Sequence, residues 1–134
     1  MHLILGGRHM GKRAWAESLY GPGLALCDLG RDEPEALDGA ELIVALQEGV
    51  RRLLRRGEEP LIFFMDRMDH LRGCVLIGDE VGSGVVPTDP FERRWRDETG
   101  LLYQALGREA DIVDRVWAGL PCRLKGPGMR GMGA

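Results

Sequence analysis

The sequence predicts an α/β domain built on a mostly parallel sheet with helices on both faces, a three-layer arrangement, and three observations carry that prediction. Short apolar runs alternate with segments of helical periodicity. The first run leads into a glycine-rich loop that opens a helix. The two most distinctive polar loops, GGRHMGKR and DEVGSGVVP, both follow apolar runs, so they fall together at the carboxyl ends of parallel strands, where such folds gather ligands.

Taken in order, residues 3–5 (LIL) form a short buried strand ending in Gly6 and Gly7, and residues 12–20 carry helix formers until Gly21-Pro22-Gly23 stops them. Residues 24–27 read as a second strand. The polar stretch that follows contains Pro34 and reads as a loop or a single helical turn. Residues 42–46 (LIVAL) are apolar throughout, as in a strand covered on both faces, although such a run can equally begin a helix. Val50, Leu53 and Leu54 recur at helical spacing, Gly57 and Pro60 end that helix, and residues 61–71 make another. Residues 74–78 (CVLIG) form the next buried strand. After the loop DEVGSGVVP, residues 91–109 form a long helix with Trp95, Leu102 and Leu106 on one side, and residues 113–118 a last strand. One domain, residues 1–126, is expected, followed by a flexible tail, 127–134, too poor in apolar groups to order itself.

Composition narrows the function classes. With 134 residues and 44% hydrophobic content the chain can bury a core without cross-links. Its three cysteines, Cys27, Cys74 and Cys122, sit in apolar surroundings at spacings that fit neither a disulfide framework nor a metal site, so buried free thiols are expected. A formal charge of −3 argues against a dedicated nucleic-acid binder. The arginine-rich stretches RRLLRRG and ERRWRDE read as solvated helix faces. No stretch reaches the roughly 18 apolar residues of a membrane span, and a cytoplasmic protein is expected.

The chemistry concentrates in residues 6–13. Gly6-x-x-x-x-Gly11-Lys12 is the pattern of a phosphate-binding loop, in which glycines let backbone N–H groups converge on an anion at a helix N-terminus. Gly6, Gly7, Arg8, His9, Met10, Gly11, Lys12 and Arg13 are therefore the candidate nucleotide-binding residues. Lys12 is the candidate catalytic cation. The residue after the lysine should be Ser or Thr, whose hydroxyl holds magnesium. Arg13 carries only donors and cannot do this. Among acids near strand ends, Asp28, Glu48, Asp79 and Glu80 are candidate metal or hydroxyl-orienting groups, with Glu80 taken as catalytic, and no metal ligand set can be chosen.

Residues 79–126 carry Glu80-Val81-Gly82-x-Gly84-x-Val86-Pro87, Arg96-Asp97-x-x-Gly100, Gln104, Ala110-Asp111, Gly119 and Leu124-Lys125-Gly126. With GGRHMGK at the other end, this pattern resembles the adenosylcobinamide kinase / adenosylcobinamide-phosphate guanylyltransferase family. The resemblance implies a P-loop nucleotide-binding fold assembled as a homo-oligomer, a trimer, in cobalamin biosynthesis or salvage. It implies ATP or GTP and Mg2+, and phosphorylation of the aminopropanol hydroxyl of adenosylcobinamide. It also implies transfer of GMP from GTP by way of a histidine between the second and third strands. This chain has no histidine between Cys27 and Leu42, and His2, His9 and His70 lie elsewhere. The resemblance thus implies a cobinamide kinase that has lost the guanylyltransferase step. The alternatives are a non-catalytic nucleotide- or corrinoid-binding partner subunit and a structural protein with an empty loop. Apolar residues such as Phe63, Phe64 and Trp117, more than one of which is expected to stay outside a small core, would supply oligomer contacts.

Overall fold

The computed structural model describes residues 1–82 and 86–128. Gly84 of the DEVGSGVVP loop and residues 129–134 of the expected tail lie outside the described residues. The elements are β1 (His2–Gly6), α1 (Lys12–Tyr20), β2 (Leu26–Asp28), a 3₁₀ turn (Pro34–Gly39), β3 (Leu42–Val44), α2 (Leu46–Arg55), α3 (Pro60–Met65), α4 (Met68–Leu71), β4 (Val75–Asp79), α5 (Pro90–Glu109), β5 (Ile112–Trp117) and β6 (Leu120–Lys125). The sheet order is β2-β3-β4-β1-β5-β6, with every pairing parallel except the antiparallel β5–β6 hairpin. This is the expected α/β class.

β1 is central and nearly wholly buried, which is why LIL is apolar at every position. Its register sets Gly6 level with Asp79 of β4 on one side and Val116 of β5 on the other. One face of the sheet packs Ile4, Ile77 and Val116 against Ala16 and Trp15 of α1. On the other, Leu3, Ile43 and Leu76 meet Val50, Leu53, Phe64, Leu102 and Leu106 from α2, α3 and α5. Fully buried side chains such as Leu102 and Leu106 each stabilise the fold by about 1.5–3 kcal/mol. α5 begins at Pro90, with the Asp89 carboxylate accepting from Phe91 N as its N-cap.

Several expectations need correction. LIVAL is not one strand: it ends at Val44, Ala45 turns left-handed at φ 60°, and Leu46 starts α2, since buried surface on both sides of the junction keeps the run apolar. Residues 61–71 break into α3 and α4 at Asp66 and Arg67. Arg67 there lies over the Phe63 ring and bonds the Asp38 carboxylate. β6 went unread because it is the sheet edge, exposed at nearly every position and carrying Pro121, so neither alternation nor burial marks it. Phe63 and Phe64 are buried, and only Trp117 of the three named aromatics is exposed. Cys27 and Cys74 are buried, whereas Cys122 is exposed. The two arginine-rich stretches are not merely solvated: Arg51 bonds Glu92 at 2.5 Å and lies 4.1 Å from the Trp95 ring centroid, tying α2 to α5.

Candidate functional site

The glycine loop sits where strand register puts it, at the carboxyl end of β1 and the N-terminus of α1. Gly6 must be glycine, because a Cβ there would lie 2.4 Å from the Val116 carbonyl oxygen. Gly11 takes φ 98°, a left-handed conformation favoured by glycine, and caps α1. Within the loop, Met10 N donates to Gly7 O at 3.3 Å. The amides of Arg8, His9, Gly11 and Lys12 donate to no backbone carbonyl among the described residues, so they are available to a ligand.

A cleft of about 700 Å³ opens over this loop, lined by Arg8 to Ala14, by Asp28, Val44 and Ala45 at the β2 and β3 ends, by Gln47, and by Ile77 and Asp79 of β4. The loop residues expected to bind nucleotide thus line a common space, except Gly6 and Gly7, which lie outside its lining, Gly6 against the Val116 carbonyl of β5. Lys12 is buried, and its Nζ donates to Gly7 O at 2.7 Å and pairs with Asp79 Oδ1 at 2.8 Å. Arg13 also lines the cleft, but its Nε pairs with Glu17 at 3.2 Å.

The acids separate cleanly. Asp79 and Asp28 line the cleft. Glu80 does not: both of its oxygens accept from Arg115, at 2.6 and 3.0 Å. Glu48 is paired with Arg51. Asp79 is held by its backbone, its N–H donating to Gln47 Oε1 at 2.9 Å and its carbonyl accepting from Tyr103 O–H at 2.6 Å. Burial, with the charges of Asp79 and Glu80, pushes the Tyr103 hydroxyl far up, so it stays a donor at any ordinary pH. Neither Gln47 nor Tyr103 carries a sequence signal for this supporting role. Asp79, by contrast, could have been preferred as the last residue of the buried run CVLIGD, flush with Gly6.

Among the described residues no cluster of three His, Cys, Asp or Glu side chains could hold a metal by itself. A magnesium ion arriving with a nucleotide would instead find carboxylate oxygens at Asp79 and Asp28, and no donor oxygen at Arg13. That suits an ion that keeps several waters and phosphate oxygens as ligands. Of the histidines, His70 Nε2 bonds Leu37 O and His2 is buried, so only His9, exposed at φ 60°, stands on the cleft.

A second polar cluster lies behind the site. Asp114, wholly buried, accepts from His2 Nε2 at 2.7 Å, Trp15 Nε1 at 2.9 Å and Arg123 Nε at 2.5 Å, and His2 Nδ1 faces Tyr20 O–H at 2.7 Å. Burial works to raise the Asp114 carboxyl, but the bonds from Arg123, Trp15 and His2 outweigh it and hold it below its ordinary value. Burial lowers His2 and outweighs the opposing pull of Asp114. No sequence pattern announced this cluster.

Comparison with known proteins follows the same lines. A family model described as cobinamide kinase / cobinamide phosphate guanyltransferase matches residues 55–124. The chain is 34% identical over 109 residues, 81% of its length, to the bifunctional adenosylcobalamin biosynthesis protein CobP of Pseudomonas aeruginosa. That match takes in 50% of the relative, so the chain spans about half the length of the curated relative it matches. The family match begins beyond the glycine loop.

Proposed function

The chain belongs to the cobinamide kinase / cobinamide phosphate guanyltransferase family of cobalamin biosynthesis, and from that premise we propose that it is a nucleotide-dependent kinase of a cobinamide. The observation that carries the proposal is Lys12: a buried ammonium at a helix N-terminus, beside unpaired loop amides and 2.8 Å from a carboxylate that faces the same cleft.

The triphosphate of ATP or GTP lies along the amides of residues 7–12, where the α1 dipole and Lys12 favour negative charge. Lys12 exchanges Asp79 and Gly7 O for phosphate oxygens. The bond from the β–γ bridging oxygen to the γ-phosphorus breaks and one to the aminopropanol hydroxyl oxygen of adenosylcobinamide forms. The hydroxyl proton passes to water on the β2–β3 side of the cleft. Magnesium, when bound, neutralises phosphate charge, and Asp79 and Asp28 would hold it. Asp79 takes the role first assigned to Glu80, which instead positions Arg115. Catalysis here is chiefly alignment and charge stabilisation.

The guanylyl step is absent in this reading, because residues 29–41 between β2 and β3 contain no histidine to carry GMP. A cytoplasmic homo-oligomer, a trimer, with residues 1–126 as its working domain, completes the proposal. Arg13 favours a second reading. Without a hydroxyl for magnesium the loop could hold nucleotide or corrinoid without turnover, as a partner subunit.

Incubating the protein with γ-labelled ATP or GTP, magnesium and adenosylcobinamide separates the two. Label should move to the corrinoid with wild type and not with Lys12→Ala. Tight nucleotide binding with no transfer selects the second reading.

A further inference from the structure

α1 carries the buried ammonium of the site and turns its N-terminus to the cleft, yet little apolar surface holds it down. It is 9 residues long, its N-cap Gly11 makes no side-chain capping bond, and apart from Lys12 only Ala16 is buried, with the half-buried Trp15 ring beside it. A helix this short is marginal by itself. Among the described residues, three α1 side chains make bonds that leave the helix. Lys12 bonds Gly7 O and Asp79. The other two, Trp15 and Tyr20, both reach the buried cluster around Asp114.

Trp15 follows Lys12 by three positions, a spacing that puts both on one face of the helix. Its Nε1 donates to Asp114 Oδ2 at 2.9 Å, and that carboxylate is itself held in place. Asp114 lies on β5 level with Ile4 of β1, wholly buried, and also accepts from His2 of β1 and Arg123 of β6. An ionised carboxylate only accepts, so His2 Nε2 carries a proton and Nδ1 is left to accept from Tyr20 O–H at 2.7 Å. Three strands thus fix one point, and α1 is tied to it within a turn of Lys12. Apolar contact is non-directional, whereas a hydrogen bond weakens steeply when misaligned. The Trp15 bond, more than the packing under Ala16, therefore sets the rotation of α1 about its axis. That rotation decides where Lys12 Nζ stands over the loop.

We propose that Trp15 is a positioning residue for Lys12: its bond to Asp114 aims the ammonium at the phosphate position before a ligand arrives. This rests on the nucleotide reading of the cleft. An ammonium already in place loses less freedom when phosphate binds, so the bond adds affinity without touching the ligand.

The test is a double-mutant cycle read by calorimetry with ATP and with inorganic tripolyphosphate, on wild type, Trp15→Phe, Lys12→Ala and the double variant. Phenylalanine keeps a ring against α1 and loses only the indole donor. It is smaller than the residue it replaces, borders a cavity of about 400 Å³, and leaves Asp114 accepting from His2 and Arg123. Trp15→Phe should weaken both ligands by about 5- to 20-fold, and by less than about twofold when Lys12 is already alanine. Tyr20→Phe removes a bond to the same cluster eight residues from Lys12 and should change affinity by less than about twofold. An equal loss from Trp15→Phe in both backgrounds, or none in either, overturns the positioning role while the cleft reading stands. A loss in Tyr20→Phe as large as in Trp15→Phe assigns the effect to general loosening of α1 and also overturns it. If wild type binds neither ligand, the cleft reading fails and the positioning role with it.

Discussion

Replacing Asp79 by Asn should have effects of opposite sign with and without magnesium. The Asp79 carboxylate sits 2.8 Å from Lys12 Nζ, so a phosphate oxygen taking up the lysine comes within about 4 Å of a negative charge. Two unit charges at that distance repel by about 4 kcal/mol at an effective dielectric near 20. Asp79 is 29% exposed, so solvent and salt reduce this to about 1–2 kcal/mol. In a chelator, Asp79→Asn should therefore bind ATP or GTP about 5- to 30-fold more tightly than wild type. With millimolar magnesium the same variant loses a carboxylate ligand and should bind more weakly than wild type, by roughly tenfold. Calorimetry in both conditions reads the crossing directly. Equal or weaker binding of Asp79→Asn in chelator would refute the argument that Asp79 competes with phosphate for Lys12.

The remaining predictions concern the loop, the missing carrier and the buried cluster. Arg13→Ser restores a hydroxyl where magnesium expects one, so magnesium should raise its nucleotide affinity by about fivefold more than it does for wild type; identical magnesium responses would contradict that role for residue 13. Mass spectrometry after incubation with GTP and magnesium should find no covalent GMP, and an acid-labile GMP adduct would point to His9 as a carrier. Asp114→Ala strands three donors in the interior and should cost about 3–5 kcal/mol, lowering the thermal midpoint by about 10–20 °C; a loss under 3 °C would count against the network. His2 and Asp114 are both held below their ordinary values, so each binds fewer protons folded than unfolded. Their contribution is present above about pH 6.5 for His2 and pH 4 for Asp114, and is lost as pH falls through each folded value. Urea midpoints should then be lower at pH 5 than at pH 7.5, and the reverse slope would exclude this assignment.

What was legible in the sequence follows from where side chains are buried. β1 and β4 are central and covered on both faces, so their apolar runs announced them, and the loop between β1 and α1 was readable because Gly6 and Gly11 meet steric demands no other residue fits. β6 left no such trace, since an exposed edge strand has no face that must be apolar. LIVAL misled because strand and helix share one buried surface across Ala45. Of the site, the loop and Lys12 were legible from spacing. Asp79 and Glu80 could not be separated, because they straddle the end of β4 and only the register, which sets Asp79 level with Gly6, reveals which one meets the loop. The Asp114 cluster joins residues about a hundred positions apart, and Gln47 and Tyr103 act through backbone atoms of Asp79, so composition carried no signal for either.

The central claim is that the cleft over residues 7–12 is a nucleoside triphosphate site. A crystal structure of the protein with a non-hydrolysable ATP or GTP analogue and magnesium tests it most directly. The account predicts β- and γ-phosphate density within hydrogen-bonding distance of the Gly7 to Lys12 amides, with Lys12 Nζ moved from Asp79 onto a phosphate oxygen. An empty loop at millimolar analogue, with the Lys12–Asp79 pair intact, would contradict it.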